Sequence, residues 1–214
     1  MSLYVKELWR YPAKSMAGEP VTEALVTPLG LAGDRVILVQ KGGRVITSRT
    51  HPKLLGLKGT LTVDGVPHIS GHPWDSPEAL ALVRAAVGAD AEVIRHEGEE
   101  RFDVLPLLVA TDGAIAHMGF DGRRLRPNIV IGGVEGLAER QWPGRRLRMG
   151  DVVIETVQLR GRCVMTTFDP DTLMQDPDVL RRIVKELGGK MALDSAVIVG
   201  GTLRVGDPVV VESS

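Results

Sequence analysis

Cysteine occurs once in the chain, at position 163, aromatic residues make up 4% of the 214, and the formal net charge is only −1. A single cysteine excludes an internal disulfide, a cysteine-only zinc site and a four-cysteine iron–sulfur cluster. It fits a reducing compartment, so a cytoplasmic protein is expected. A charge near zero argues against a chain built to bind nucleic acid or an anionic membrane surface. No run approaches the roughly 18 apolar residues of a membrane span. The opening MSLYVKELWRYP lacks the apolar run and small-residue cleavage site of a secretory signal. There is no G-x-x-x-x-G-K-S/T loop and no dinucleotide G-x-G-x-x-G. Neither nucleic acid nor membrane is expected as a partner.

What the chain does have is β texture, with 43% hydrophobic residues to fill a core. Short β-branched runs alternate with Gly, Pro and Asp: LYVKELWR, TEALVT, RVILVQ, RVITS, GTLTV, AEVIRH, LLVAT, NIVIGG, DVVIETVQL, AVIVG and DPVVVE. That spacing predicts a barrel or sandwich. Hairpins are expected at Gly42-Gly43 and at Asp64-Gly65. Two helices stand out. SPEALALVRAAVG has Ser76 as N-cap, Pro77 at the first position and Gly88 as the stop. DPDVLRRIVKELGG has Asp176 as N-cap and Gly188 as the stop, with Val179, Leu180, Ile183, Val184 and Leu187 on one face. A third, short helix is expected over GAIAHM, capped by Thr111 or Asp112. HEGEER reads as an exposed polar joint, dividing the chain into 1–95 and 96–214. The result is a mainly β protein with a few helices, of α+β class.

Basic residues are 19 Arg against 7 Lys, and between Asp121 and Arg162 all nine are Arg, set among five acids. Guanidinium forks suit phosphate and other oxyanions, whereas arginines on a solvated face do nothing specific. Cys163 sits in GRCVMTTFDP. As a lone cysteine it is either a small buried hydrophobe or a thiol favoured as thiolate by Arg160 and Arg162. Thr166, Thr167 and Asp169 offer polar support nearby. A cysteine nucleophile needs a histidine base, and none of the five histidines lies in a recognisable motif with it. His68 and His72 have zinc half-site spacing but no second pair, and are read as loop residues. Lys14 and Ser15 in YPAKSMAGE, Arg35 in GLAGDRV, and Arg126 and Asn128 in LRPNIVIGG add polar groups at loop-to-strand junctions. On a closed barrel such junctions converge on one rim.

Taken together and in order, YPAKSMAGEPV, GLAGDRVILV, RVITSRTHPKLLGL, RPNIVIGG, GRCVMTTFDPDT and GTLRVGDPVVV resemble the MOSC family, named for the C-terminal domain of molybdenum cofactor sulfurase. The resemblance is to the amidoxime-reducing branch and runs from Leu3 to Glu212. It implies a MOSC N-terminal β-barrel followed by a MOSC β-barrel domain, with a pyranopterin molybdenum cofactor (molybdenum-molybdopterin) between them. It implies that Cys163 ligates molybdenum or, as in other branches, carries persulfide sulfur. It implies that Lys14, Ser15, Arg35, Arg126 and Arg162 line the pterin and phosphate, with Asn128 beside Arg126 and with Thr111 and Asp112 offering polar contacts. The expected activity is reduction of a small N-hydroxylated substrate, with electrons from a separate flavin or iron–sulfur reductase. The alternative is a sulfur carrier. The chain departs from the family at Leu173, where glycine is common, and lacks an aromatic near Asp194-Ser195-Ala196. No ferredoxin-like domain of the kind some bacterial relatives append is expected.

Overall fold

The computed structural model describes residues 2–212. The first half of the chain supplies β1 (Tyr4–Arg10), β2 (Glu19–Val21), β3 (Glu23–Thr27), β4 (Gly30–Leu31), β5 (Ile37–Lys41), β6 (Arg44–Ile46), β7 (Gly59–Leu61), β8 (Pro67–Ile69), β9 (His72–Pro73), α1 (Pro77–Val87) and β10 (Glu92–Arg95). The second half supplies β11 (Leu107–Thr111), α2 (Asp112–Met118), β12 (Ile129–Gly132), β13 (Arg145–Met149), β14 (Val152–Gly161), α3 (Pro177–Leu187), β15 (Lys190–Val199), β16 (Gly201–Arg204) and β17 (Val209–Glu212). Eight strands form one sheet in the order β17-β13-β14-β15-β11-β12-β1-β2. The end of the chain returns to its start. Val5 N–H donates to Asp207 O at 2.8 Å and Val209 N–H to Leu3 O at 2.9 Å, which rolls the sheet round on itself. Three smaller sheets, β10-β5-β6, β16-β3-β4 and β7-β8-β9, complete the molecule.

The two halves are interlaced. β1 pairs antiparallel with β12, Val5 opposite Ile131 and Leu8 opposite Ile129, while β3 pairs with β16. β11 is the central strand, parallel to β12 and antiparallel to β15, and all five of its residues are buried. Strand alternation explains this. Leu107 and Val109 enter the core inside the rolled sheet, and Leu108 and Ala110 enter a second core beneath α2 and α3. A third core, around Met16, Ile37, Leu54, Ile69 and Val83, belongs to the first half.

The helices follow their capping chemistry. Ser76 accepts from Ala79 N–H, Asp176 from Asp178 N–H and Thr111 from Ala114 N–H, so Thr111 is the cap and Asp112 the first helical residue. Val184 departs from the expected apolar face of α3 and is exposed, whereas Val179, Ile183 and Leu187 are buried. The arginine-rich RRLRM is strand β13, with Leu147 and Met149 inward and the arginines outward. His68 and His72, expected in a loop, face each other's strand in the β8–β9 hairpin. Arg101 belongs to the expected polar joint yet is only 4% exposed. Its guanidinium donates to the carbonyls of Glu97, Gly98 and Leu29 and stacks on Phe102.

Candidate functional site

The first wall of the site is made where Tyr11–Ser15 runs beside Asp34–Ile37. Arg35 N–H donates to Tyr11 O, Ile37 N–H to Pro12 O and Lys14 N–H to Ile37 O, at 2.7, 3.0 and 2.8 Å. The Asp34 carboxylate, fully buried, accepts from Tyr11 N–H and from Arg35 Nη1, both at 2.7 Å. Lys14, Ser15 and Arg35 are thereby fixed side by side. Ser15 and Arg35 both have positive φ, 69° and 54°, and Arg126 opposite them has 57°. Left-handed backbone costs a non-glycine residue about 1–2 kcal/mol, and such strain persists where the surroundings over-determine it, often at ligand clamps.

Arg126 follows a short helical turn, Gly122–Leu125, whose N-terminus Asp121 caps. Its guanidinium lies 4.3 Å from the centre of the Tyr11 ring and has no hydrogen-bond partner among the described residues. Desolvation pulls Arg126 down to about 10, with Tyr11 opposing and Arg35 adding to the effect, so it stays charged at neutral pH. Burial likewise pushes the Tyr11 phenol well above its ordinary value. The Tyr11 hydroxyl is buried without a partner among the described residues.

The third wall is the segment after β14. Arg162 N–H docks on Gly189 O at 2.9 Å, just past the C-terminus of α3. Its Nη2 donates to Leu125 O at 2.8 Å, while its Nε is buried and has no partner among the described residues. Desolvation lowers Arg162 to about 10, against the attraction of the Cys163 side chain. Cys163 starts the short helical turn Val164–Thr167 and is half-buried, with a free thiol. Thr166 Oγ1 donates to Cys163 O and Thr167 Oγ1 to Val164 O, so the two threonines lock the backbone of the turn. Asp169 accepts from Asp171 and Thr172 N–H and holds Arg124 Nη2 at 3.0 Å. Leu173, the departure from the family glycine, sits in left-handed backbone with φ 59°.

These walls enclose a cavity of about 90 Å³ whose lining includes Lys14, Ser15, Arg35, Arg126, Arg162 and Cys163. Arg49, Asp103, Arg124, Arg160 and Asp194 also line it. Asp103 is a hub. Its carboxylate meets Lys14 Nζ at 2.8 Å, Arg49 Nη2 at 3.0 Å and Arg160 Nη2 at 3.4 Å. Burial acts to raise the Asp103 carboxyl, but the Lys14 hydrogen bond and the three cations outweigh it and hold it below the ordinary value. Arg160 Nη1 is held by Asp194 at 2.8 Å. Among the described residues, unpaired donors in the pocket include the Arg126 guanidinium and Arg162 Nε.

Three expected site residues lie outside this cavity. Thr111 caps α2 and donates to the buried carboxylate of Glu139 at 3.3 Å. Asp112 accepts from Gly133 and Val134 N–H and pairs with Lys6. Asn128 is fully buried and bridges strands, accepting from Leu108 N–H and donating to Trp9 O. All three hold backbone in place, and Asn128 fixes the strand that starts three residues after Arg126. Arg160 had a legible signal, since it stands two residues before Arg162 on a strand. Asp103, Asp194 and Arg49 had none, because only tertiary pairing makes them part of the site. Among the described residues no three His, Cys, Asp or Glu side chains cluster as a metal site, and the soft sulfur donors lining the cavity are the Cys163 thiol and the Met165 thioether.

Fold and cavity define a two-part β protein with an arginine-rich cleft and a lone thiol in its wall. The chain belongs to the MOSC family: residues 2–105 match the MOSC N-terminal beta barrel domain and residues 108–210 the MOSC domain. It is 37% identical to mitochondrial amidoxime reducing component 2 of Rattus norvegicus, and 26% identical to component 1 of Homo sapiens. Each alignment covers 96% of this chain and 82% of the relative. Molybdenum cofactor sulfurase of Caenorhabditis briggsae is 24% identical over 82% of this chain but 30% of its own length. Among solved structures, the YUAD protein of Bacillus subtilis shares the fold at TM-score 0.56 and 14% identity, covering 100% of this chain and 97% of that one.

Proposed function

We propose that this chain is an oxidoreductase that binds the pyranopterin molybdenum cofactor, molybdenum-molybdopterin, in the Cys163 cavity. Its substrate is a small N-hydroxylated compound, and its electrons come from a separate flavin or iron–sulfur reductase. The observation that carries this reading is the meeting of one ionisable thiol with unsatisfied guanidinium donors in a single cavity. The cofactor's phosphate and polar ring edges supply the acceptors that Arg162 Nε and the Arg126 guanidinium lack, and Lys14, Ser15 and Arg35 add donors on the opposite wall. Cys163 offers the thiolate that a soft metal site prefers. When bound, the molybdenum supplies the two-electron chemistry of N–O cleavage.

The chain's own residues bind, orient and hold charge. Asp103 and Asp194 anchor Arg49 and Arg160, so these cations are pre-oriented before a ligand arrives. The threonine-locked turn holds the Cys163 backbone still. In the overall conversion an R–NH–OH group takes up two electrons and two protons and leaves as R–NH₂ and water. The likeness to amidoxime-reducing components supports this substrate class. A cytoplasmic site of action belongs to the same proposal and rests on the lone cysteine. No helix among the described residues is long and apolar enough to cross a membrane.

The test is molybdenum and pterin analysis of protein from a cofactor-competent host, wild type beside Cys163→Ser, followed by turnover of an N-hydroxylated compound with an artificial reductant. Absence of both metal and pterin from the wild type overturns the reading. A sulfur-carrier role is the second reading, favoured by the partly accessible free thiol. It requires a reductant-labile mass increase of one sulfur on Cys163, with little molybdenum.

A further inference from the structure

A second, smaller cleft of about 70 Å³ lies against the first, and Arg124, Arg126 and Met165 line both. Apart from Arg123, its remaining lining is apolar and aromatic, with Trp9, Tyr11, Leu55, Phe168 and Pro170. Three of the chain's eight aromatic residues, three Trp, two Tyr and three Phe, therefore meet in one cleft of an aromatic-poor protein. The cleft also has unmet polar capacity. The Tyr11 hydroxyl is buried without a partner among the described residues. Of the three arginines at its edge, Arg123 is bound by Asp121 and Asp171, and Arg124 by Asp169 and Thr167 O. Only Arg126 is without an acceptor, its face on the Tyr11 ring. A guanidinium stacked this way still donates in its own plane.

We propose that this cleft is a binding site for a small planar aromatic ring carrying an anionic or hydrogen-bond-accepting group, the ring packing on Trp9, Tyr11 and Phe168 and the acceptor meeting Arg126. Flat walls favour an aryl ring over a puckered one through stacking geometry. The unpaired guanidinium favours an anion and opposes a cation. Because the clefts share a wall, a substituent on the ring can extend toward Cys163. Binding itself needs no cofactor and does not depend on the oxidoreductase reading.

The test uses the full cofactor-free chain, titrated with benzoate, cyclohexanecarboxylate and benzamidine by saturation-transfer NMR and tryptophan fluorescence. Benzoate should bind about five-fold or more tightly than cyclohexanecarboxylate, the scale of an aromatic contact, and benzamidine should bind worst. Phe168→Leu should weaken benzoate by about five-fold. It should leave pyrophosphate binding in the Cys163 cavity within about two-fold, since Phe168 does not line that cavity. Should Phe168→Leu fail to fold, Leu55→Trp, which fills the cleft, should abolish benzoate binding instead. Equal affinity for the three probes, or benzoate binding untouched by either variant, overturns the proposal. Failure of pyrophosphate to bind the wild type speaks against the Cys163 cavity as an anion site and leaves this cleft standing.

Discussion

Lys14 and Asp103 stand 2.8 Å apart, ammonium to carboxylate, across the seam where the two halves of the chain meet. Arg49 and Arg160 converge on the same carboxylate, one from each half. Its carboxyl is held below the ordinary value, so the unfolded chain binds the proton first as the solution is acidified. The stabilisation is complete above the unfolded carboxylate pKa and is lost as pH falls through the folded one. Asp103→Asn should melt lower than wild type at neutral pH, and the two melting curves should converge in acid. Parallel curves from pH 7 into acid would remove the hub from any role in stability.

Cys163→Ser should leave the melting temperature nearly unchanged, since a half-buried side chain of similar size costs under about 1 kcal/mol. It should abolish reduction of an N-hydroxylated substrate, because an alkoxide is a poor substitute for a thiolate at a soft metal. A variant that retains wild-type turnover makes Cys163 a packing residue only.

Arg126→Ala and Asn128→Ala separate ligand binding from architecture two positions apart. Losing one charge-assisted donor is worth ~1.5–3 kcal/mol, so Arg126→Ala should lower cofactor retention by about ten-fold or more with the fold intact. Asn128→Ala orphans Leu108 N–H and Trp9 O, and should cost about 1–3 kcal/mol of stability for each buried group left unpaired. Cofactor content by metal analysis and a urea melt on both variants decide the matter.

Glu139 is buried beneath Thr111, and desolvation raises its carboxyl above the ordinary value despite the Thr111 hydrogen bond. Between the unfolded and folded pKa values the native state holds a proton that the unfolded chain has released. Stability therefore falls as pH rises through that window. Glu139→Gln removes this slope and should gain on the wild type toward neutral pH. A variant whose pH profile overlays the wild type would show that Glu139 carries no such penalty.

Gly113 reverses an ordinary expectation. Glycine inside a helix is about 1 kcal/mol worse than alanine. Here a Cβ would come within 2.3 Å of Val134 O and 2.6 Å of Gly136 O, both backbone atoms that cannot swing aside. Gly113→Ala should therefore destabilise, by about 1–3 kcal/mol as for an overpacked site. A rise in melting temperature would show that the loop after β12 yields.

Local chemistry was legible wherever a residue acts on its own neighbours. Ser76, Asp176 and Thr111 cap helices because their side chains reach N–H groups two or three residues on, and Gly42-Gly43 closes a hairpin because both positions need positive φ. RRLRM was hidden by its charge, although its alternation was in plain view. Asp103 and Asp194 were invisible because an isolated acid acquires meaning only when folding brings cations to it. Thr111, Asp112 and Asn128 came with the family motifs, and in the structure their hydrogen bonds go to backbone and to Glu139. The cavity residues were readable as types, while the bridging carboxylates that hold them were not.

The pairing of β1 with β12 also sets the order of assembly. Trp9 and Asn128, which exchange hydrogen bonds, are 119 residues apart, so the first strand made, paired early with β2 on one side, is among the last to find its partner on the other. Closing so long a loop is entropically slow, and topologies dominated by such pairings fold over milliseconds to seconds. During synthesis β1 emerges with an open edge and must wait for most of the chain, which makes this edge the point at which a nascent protein is most exposed to aggregation.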